Sequence, residues 1–202
     1  MSNTALTISL EDLQELINSS AAADPAVYQY YRMLGNRCII VNEEIGEGLI
    51  EKVILPLMEM DNDGTGEPIE LILNTVGGVI YDGMMLCRVI ENLKTPTTIR
   101  ILSMAASMGA LIAMAGHNNP NVKTVCYKYS VFLIHAGSYY FEGSAMQVKD
   151  SFRFQEHYET IISDYVLSHS TITEDEYKNK TRYEWWMTAS DAFDYGIVDE
   201  VL

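Results

Sequence analysis

Apolar residues recur along this chain at two spacings, and the alternation between them predicts its elements. Residues 37–41, 69–74 (IELILN), 97–103 (TTIRILS), 122–127 (VKTVCY) and 131–137 (VFLIHAG) are short aliphatic or β-branched runs and read as buried strands. Between them lie stretches with helical spacing. Leu49, Ile50, Val53, Ile54 and Leu57 mark a helix over residues 46–60, and another runs from about 81 to 93, stopped by Thr95-Pro96. Ser144 opens a long helix to about His169, Thr173 caps a short one, and Thr188 caps a last one before the final strand, IVDEVL. At the N-terminus, Ser9 precedes an amphipathic helix with Leu10, Leu13, Leu16 and Ile17 on one face. Residues 18–25 (NSSAAADP) read as a small-residue linker. Strands alternating with helices predict an α/β fold with a parallel sheet, whose ligands bind outside the carboxyl ends of the strands.

Two of those strand ends carry candidate chemistry. Residues 101–116 (ILSMAASMGALIAMAG) run from strand to short apolar helix through Ser107, with small residues Ala105 and Gly109 flanking it. A serine on a sharp strand-to-helix turn is the arrangement of a nucleophile elbow, and the helix start supplies free N–H groups and a positive dipole. The pattern is A-x-S-x-G rather than G-x-S-x-G, so a serine merely capping a buried helix remains an equal reading. The strand at 69–74 ends in TVGG, and Gly77-Gly78 is either a tight turn or a backbone donor facing a substrate. His135 closes the strand at 131–137. It is either a core histidine or a base, whereas His117 falls in a turn and His157 and His169 lie on the long helix.

Composition narrows the function. The chain has 202 residues, 48% hydrophobic and 20% charged, which suits one globular domain. Its net charge is −15, and residues 1–70 hold 13 acids against 3 bases, so nucleic-acid binding is not expected. The longest uncharged apolar run, 16 residues, is short of a membrane span. Three well-separated cysteines without a C-x-x-C pair, and an N-terminus without a basic and apolar leader, point to a reducing compartment, the cytoplasm. Asp61, Asp63 and Gly66 begin like a calcium loop, but Ile72 stands where the bidentate glutamate belongs, so residues 61–68 read as an acidic turn. Tyr28, Tyr30 and Tyr31 read as aromatics packed on the protein's own core, with stacking on a partner as the alternative. No metal or cofactor site is expected.

With Gly77-Gly78, MAASMGA, LIHAG and MTASDAFDYGIVDEVL in view, the chain resembles the ClpP family, the proteolytic subunits of Clp ATP-dependent proteases, from about Arg32 to Leu202. The resemblance implies a crotonase/ClpP-like superhelix of ββα units with a protruding strand-helix handle at about 136–169, its strand at 137–143. The protease domain then spans 26–202, after an extension, 1–25, outside the resemblance, that reads as an appendage or a pro-segment. By resemblance Ser107 is the nucleophile and His135 the base, while the backbone N–H groups of Gly78 and Met108 form the oxyanion hole. Glu184 stands where the family has its aspartate; Asp191 and Asp194 are nearby alternatives as the third member. The resemblance also implies a homo-oligomer, a heptameric ring or double ring, partnered by an AAA+ unfoldase (a Clp ATPase) that alone uses ATP. Its substrate would be peptide or unfolded protein, cut inside the oligomer's chamber. The chain departs from the family at Thr75-Val76, where Ser-Pro is usual, and at Tyr183-Glu184, where a basic-acidic pair is usual. Two other readings stand beside a serine endopeptidase. One is an inactive ring-building paralogue, against which the presence of both Ser107 and His135 counts. The other is a crotonase-type enzyme acting on CoA thioesters, which needs no serine–histidine pair and for which no basic phosphate-binding cluster is evident.

Overall fold

The computed structural model describes Glu15, Ser19 and residues 24–202. The chain forms two compact units, Met1–Cys38 and Ile39–Leu202. The helix expected after Ser9 lies outside the described residues except for Glu15. Of the stretch read as a linker, Ser19 is helical, and Asp24-Pro25 opens a helix instead. The Asp24 carboxylate accepts from the Ala26 N–H at 2.8 Å and Pro25 takes the first helical position, so α1 runs Pro25–Gly35. An aspartate before a proline is a helix start, not a spacer, because the proline's missing N–H would be unpaired there anyway. No residue of α1 is buried, so Tyr28, Tyr30 and Tyr31 are not core residues as expected; Tyr30 and Tyr31 pack edge to face.

The second unit is built on a seven-stranded sheet in the order β1-β2-β3-β4-β7, with β5 branching from β3 and β6 added to β5. The strands are β1 (Cys38–Val41), β2 (Ile69–Thr75), β3 (Thr97–Ala106), β4 (Val122–Cys126), β5 (Val131–Ile134), β6 (Trp185–Thr188) and β7 (Glu200–Val201). β2, β4 and β5 each pair with β3 in parallel, as β7 does with β4, and β6 is antiparallel to β5. Helices fill the connections: a π-helical stretch Ile50–Ile54 leading into α2 (Leu55–Asn62), then α3 (Ile80–Glu91), α4 (Met108–Met114), α5 (Ala145–Ser168), α6 (Glu174–Lys180) and α7 (Ala189–Asp194). Leu57, Leu71, Leu73, Leu86, Ile99 and Ile101 are fully buried at the centre, and every residue of α4 is buried. A helix apolar on all sides belongs inside, which explains why GALIAMA carries no polar face.

β3 is the strand that positions the site. Its burial alternates up to Ile101, then Leu102 and Ser103 both face out. At that point its register against β2 slips, from Leu73↔Ile101 to Thr75↔Ala105. It also changes partner on its other edge: Ile101 pairs with Cys126 of β4, whereas Met104 pairs with Val131 of β5. A bulge that ends one pairing and begins another re-aims the strand end.

The long helix α5 is capped by reciprocal bonds between Ser144 and Gln147, and it buries only Gln155, Tyr165 and Val166. The strand expected over residues 137–143 is absent. A strand needs a partner for its backbone groups, and the described residues offer this segment none. Asp61 accepts from the N–H groups of Lys94 and Thr95, and Asp63 from the Thr65 N–H and hydroxyl, so both acids brace turns. The three cysteines are buried and none is in a disulfide; burial pushes the Cys87 thiol up to about 12 and Cys126 to about 11, leaving both unreactive at neutral pH. No helix among the described residues is long and apolar enough to cross a membrane.

Candidate active site

Parallel pairing of β3 with β5 sets Ala106 beside Leu133. The next residue on β3 is Ser107, and two further on β5 is His135. The two strand ends therefore bring the pair together, and Ser107 Oγ lies 2.8 Å from His135 Nε2. That bond, and not a helix-capping one, is what the Ser107 side chain makes. It occupies the N-cap position of α4, yet its side chain makes no capping bond. The hydroxyl is turned to the imidazole instead. Its backbone has φ 52°, a left-handed conformation costly for a residue with a Cβ. The turn is held from both sides: the Ser107 N–H donates to the Leu133 carbonyl at 2.8 Å, and the Ala110 N–H to the Ser107 carbonyl at 2.9 Å.

The loop after β2 packs against this elbow. Gly77 has φ 97°, and a Cβ there would lie 2.6 Å from the Ala106 carbonyl oxygen and 2.8 Å from the Ser107 Cβ. Gly78 has φ 147°, and its Cβ would lie 2.2 Å from the Ile45 carbonyl oxygen. Only glycine fits either position. The Ile45 N–H donates to the Gly77 carbonyl, and the Val79 N–H to the Ile45 carbonyl, each at 2.8 Å. The Gly78 N–H between them donates to no group among the described residues, and neither does the Met108 N–H at the start of α4. Two donors flanking a serine are what a developing oxyanion needs. The Met108 side chain fills the space above Gly83 of α3, where a Cβ would come within 2.1 Å of it.

Thr75 and Ile45 support this loop, and no local pattern in the sequence announces either. The Thr75 hydroxyl donates to the Glu43 carbonyl at 2.6 Å and accepts from the Gly77 N–H at 3.1 Å. The threonine that departs from the family pattern thus braces the loop through its side chain, while Val76 faces outward.

The carboxylates separate clearly. Asp191 accepts from the N–H and hydroxyl of Thr188 at 2.8 and 2.7 Å as the N3 member of the α7 capping box, and these bonds hold its pKa below the ordinary aspartate value. Asp194 is exposed in the last turn of α7. Glu184 alone of the three lines a cavity of about 690 Å³ with Ser107 and His135. Antiparallel pairing of β5 with β6 ends at Ile134↔Trp185, so one more step sets His135 across from Glu184. The carboxylate is exposed and accepts from the Trp186 indole N–H at 3.1 Å; no hydrogen bond joins it to the imidazole. The other histidines are placed otherwise. His117 Nδ1 bonds the Gly196 carbonyl, His157 lies on the exposed middle of α5, and the buried His169 ring stacks on Tyr165 with Nε2 3.2 Å from Glu91. Among the described residues no cluster of His, Cys, Asp or Glu is arranged to hold a metal ion.

A family model described as Clp protease matches residues 22–202. The chain belongs to the Clp protease family. It is 24% identical over 177 residues to an ATP-dependent Clp protease proteolytic subunit of Deinococcus radiodurans, covering 86% of this chain and 83% of that one. It is 21% identical over 188 residues to such a subunit, named subunit 1, of Salinibacter ruber, covering 93% and 79%. It is 27% identical over 190 residues to the subunit of Carsonella ruddii, covering 94% and 96%. The mostly parallel α/β sheet agrees with the ClpP-like fold that the resemblance implied. This chain is a Clp-type serine peptidase, a hydrolase of peptide bonds.

Proposed function

We propose that Ser107, His135 and the N–H groups of Gly78 and Met108 carry out the peptidase reaction. The observation that supports this is the 2.8 Å contact between Ser107 Oγ and His135 Nε2 at a strained strand-to-helix turn. Serine is a poor nucleophile until a base takes its proton. With the imidazole proton on Nδ1, Nε2 accepts from the Ser107 hydroxyl. Oγ attacks the scissile carbonyl carbon as its proton passes to Nε2, and the carbonyl oxygen becomes an oxyanion facing Gly78 and Met108. The C–N bond then breaks, and the imidazolium gives its proton to the departing amine. Water repeats the sequence on the acyl-serine, releasing the acid and restoring Ser107. Glu184 is the third member in this reading, turning from Trp186 to the imidazolium when charge develops there. The chain needs no cofactor for any of these steps.

The protease domain spans 26–202 in this proposal, after an N-terminal extension, with the handle at about 136–169. α5 exposes Met146, Phe152, Phe154 and Ile161, which suits burial against further copies in a heptameric ring or double ring. Such a chamber, fed in the cytoplasm by an AAA+ unfoldase that spends the ATP, would admit only unfolded polypeptide. Against an inactive paralogue stand the paired Ser107 and His135; a crotonase-type thioester enzyme would have no use for that pair. A fluorophosphonate probe tests the assignment. Wild-type protein is expected to take the label and cut short peptides, and Ser107→Ala to do neither while keeping its melting temperature and assembly. Peptide hydrolysis by pure Ser107→Ala near the wild-type rate would move the nucleophile elsewhere.

A further inference from the structure

The cavity beside Ser107 has apolar and aromatic walls, with Val76, Val79, Met104, Leu133, Tyr158 and Trp186 among its lining. Gln155 also lines it, from α5. Gln155 is only 8% exposed, and its Nε2 has no hydrogen-bond partner among the described residues. It stands at an apolar position of its helix: three, seven, ten and eleven residues on, the same face carries Tyr158, Ile162, Tyr165 and Val166. A buried amide without a partner is unfavourable, and natural proteins nearly always pair such groups. A leucine or methionine would fit the pattern of this face without leaving a polar atom unpaired. The missing partner is therefore to be sought in what fills the cavity.

We infer that Gln155 reads the side chain of the substrate residue entering this cavity and selects glutamine over an apolar side chain of similar length. This rests on the peptidase reading of Ser107. The apolar walls suit a methylene stem, and the free Nε2 donor needs an acceptor at its end. Lysine offers no acceptor. Glutamate offers one, but Glu44 and Glu184 line the same cavity and oppose a second negative charge. Serine and threonine are too short to fill the space and reach the amide together. A glutamine amide offers the Gln155 Nε2 an acceptor oxygen without adding a charge beside Glu44 and Glu184.

The test uses the full-length protein and fluorogenic peptides identical except for the residue before the scissile bond: glutamine, norleucine or glutamate. Wild type is expected to favour glutamine over norleucine in kcat/KM by about tenfold or more, as a site built to bond a polar group rejects the analogue lacking it. Gln155→Leu should reverse the order, and Gln155→Met, which keeps the side-chain length, should do the same. Each ratio is taken within one preparation, so the fraction of active enzyme cancels. An equal ratio in wild type and both variants, with all hydrolysis abolished in Ser107→Ala, overturns the role of Gln155 and leaves the peptidase intact. Wild-type protein that cuts none of the peptides and takes no fluorophosphonate overturns the peptidase reading itself, and this inference with it.

Discussion

Gly77→Ala tests whether the loop after β2 holds the elbow in place. The new Cβ would lie 2.6 Å from the Ala106 carbonyl oxygen, 2.8 Å from Ser107 Cβ and 3.0 Å from the Met108 nitrogen. Carbon and carbonyl oxygen approach comfortably at about 3.3 Å, so something must move by roughly 0.7 Å. All three contacts belong to Ser107 and Met108, proposed for catalysis, or to Ala106 just before them. Backbone at φ 97° costs an alanine about 1–2 kcal/mol, and forcing a methyl group into a packed site costs about 1–3 kcal/mol more. At about 2–4 °C per kcal/mol for a domain of this size, the melting temperature should fall by about 4–20 °C. Displacement of the reacting groups by most of an ångström should lower kcat about 10- to 100-fold in the fraction that stays folded. Gly64→Ala is the control: it has a similar φ of 79° but nothing within 4 Å of the added Cβ, so it should show the backbone cost alone and full kcat. Thermal melts and steady-state hydrolysis of a short peptide read both effects. If Gly77→Ala loses no more stability than Gly64→Ala and keeps its kcat, the loop does not set the geometry of Ser107 and the packing argument fails.

Three further outcomes are expected. Glu184→Gln should lower kcat by about 10²–10⁴-fold with assembly unchanged, whereas Asp191→Asn should cost about 0.5–1 kcal/mol of stability and little activity; the reverse result would move the third member to Asp191. Hydrogen bonds from the Thr173 hydroxyl and N–H, and then from Tyr195, depress the Glu176 carboxyl from an ordinary 4.5 to about 2. A depressed carboxylate contributes stability that is complete above about pH 4.5 and lost as pH falls through about 2. The gap in melting temperature between wild type and Glu176→Gln should therefore hold at neutral pH and close over that window, and a gap independent of pH would refute it. Light scattering should find an oligomer at micromolar concentration; a stable monomer would remove the ring.

Much of this fold is legible in the sequence because its elements obey single periods. β2 alternates buried and half-buried residues without a break, and α6 and α7 open on capping boxes readable from Thr173 and Thr188. What escaped reading depends on distant partners. Nothing local announces that the Ile45 backbone clamps Gly78, or that the Thr75 hydroxyl reaches the Glu43 carbonyl. The π-helical turn at Ile50–Ile54 carries an ordinary helical pattern, which by itself predicts one helix continuous with α2. Gln155 is one polar residue among many on a long helix, and only burial of its amide sets it apart. The helix α1 was legible from Asp24-Pro25 but was masked by the run of small residues before it.

Backbone strain separates the functional turn from an ordinary one. Among the described residues, two that are not glycine have positive φ: Arg37 at 55° and Ser107 at 52°. For Arg37 the local chain accounts for the conformation. It follows Asn36 at the end of α1, and their N–H groups donate to the Leu34 and Met33 carbonyls that the helix leaves unpaired. A left-handed residue just past a helix end is a common way to stop it. Ser107 stops nothing. It stands between the end of β3 and the start of α4, where a cap would use ordinary extended backbone and a side chain turned to the helix. Here the backbone is left-handed and the side chain is turned away, toward His135. A conformation costing about 1–3 kcal/mol persists where its surroundings over-determine it. They do so here through the bond from the Ser107 N–H to Leu133, the β3 bulge and the close contact of Gly77. All three constraints aim the hydroxyl at the imidazole and leave the next N–H, that of Met108, open. A serine that only capped the helix would need none of them, so the strain at this residue supports its proposed role as the nucleophile.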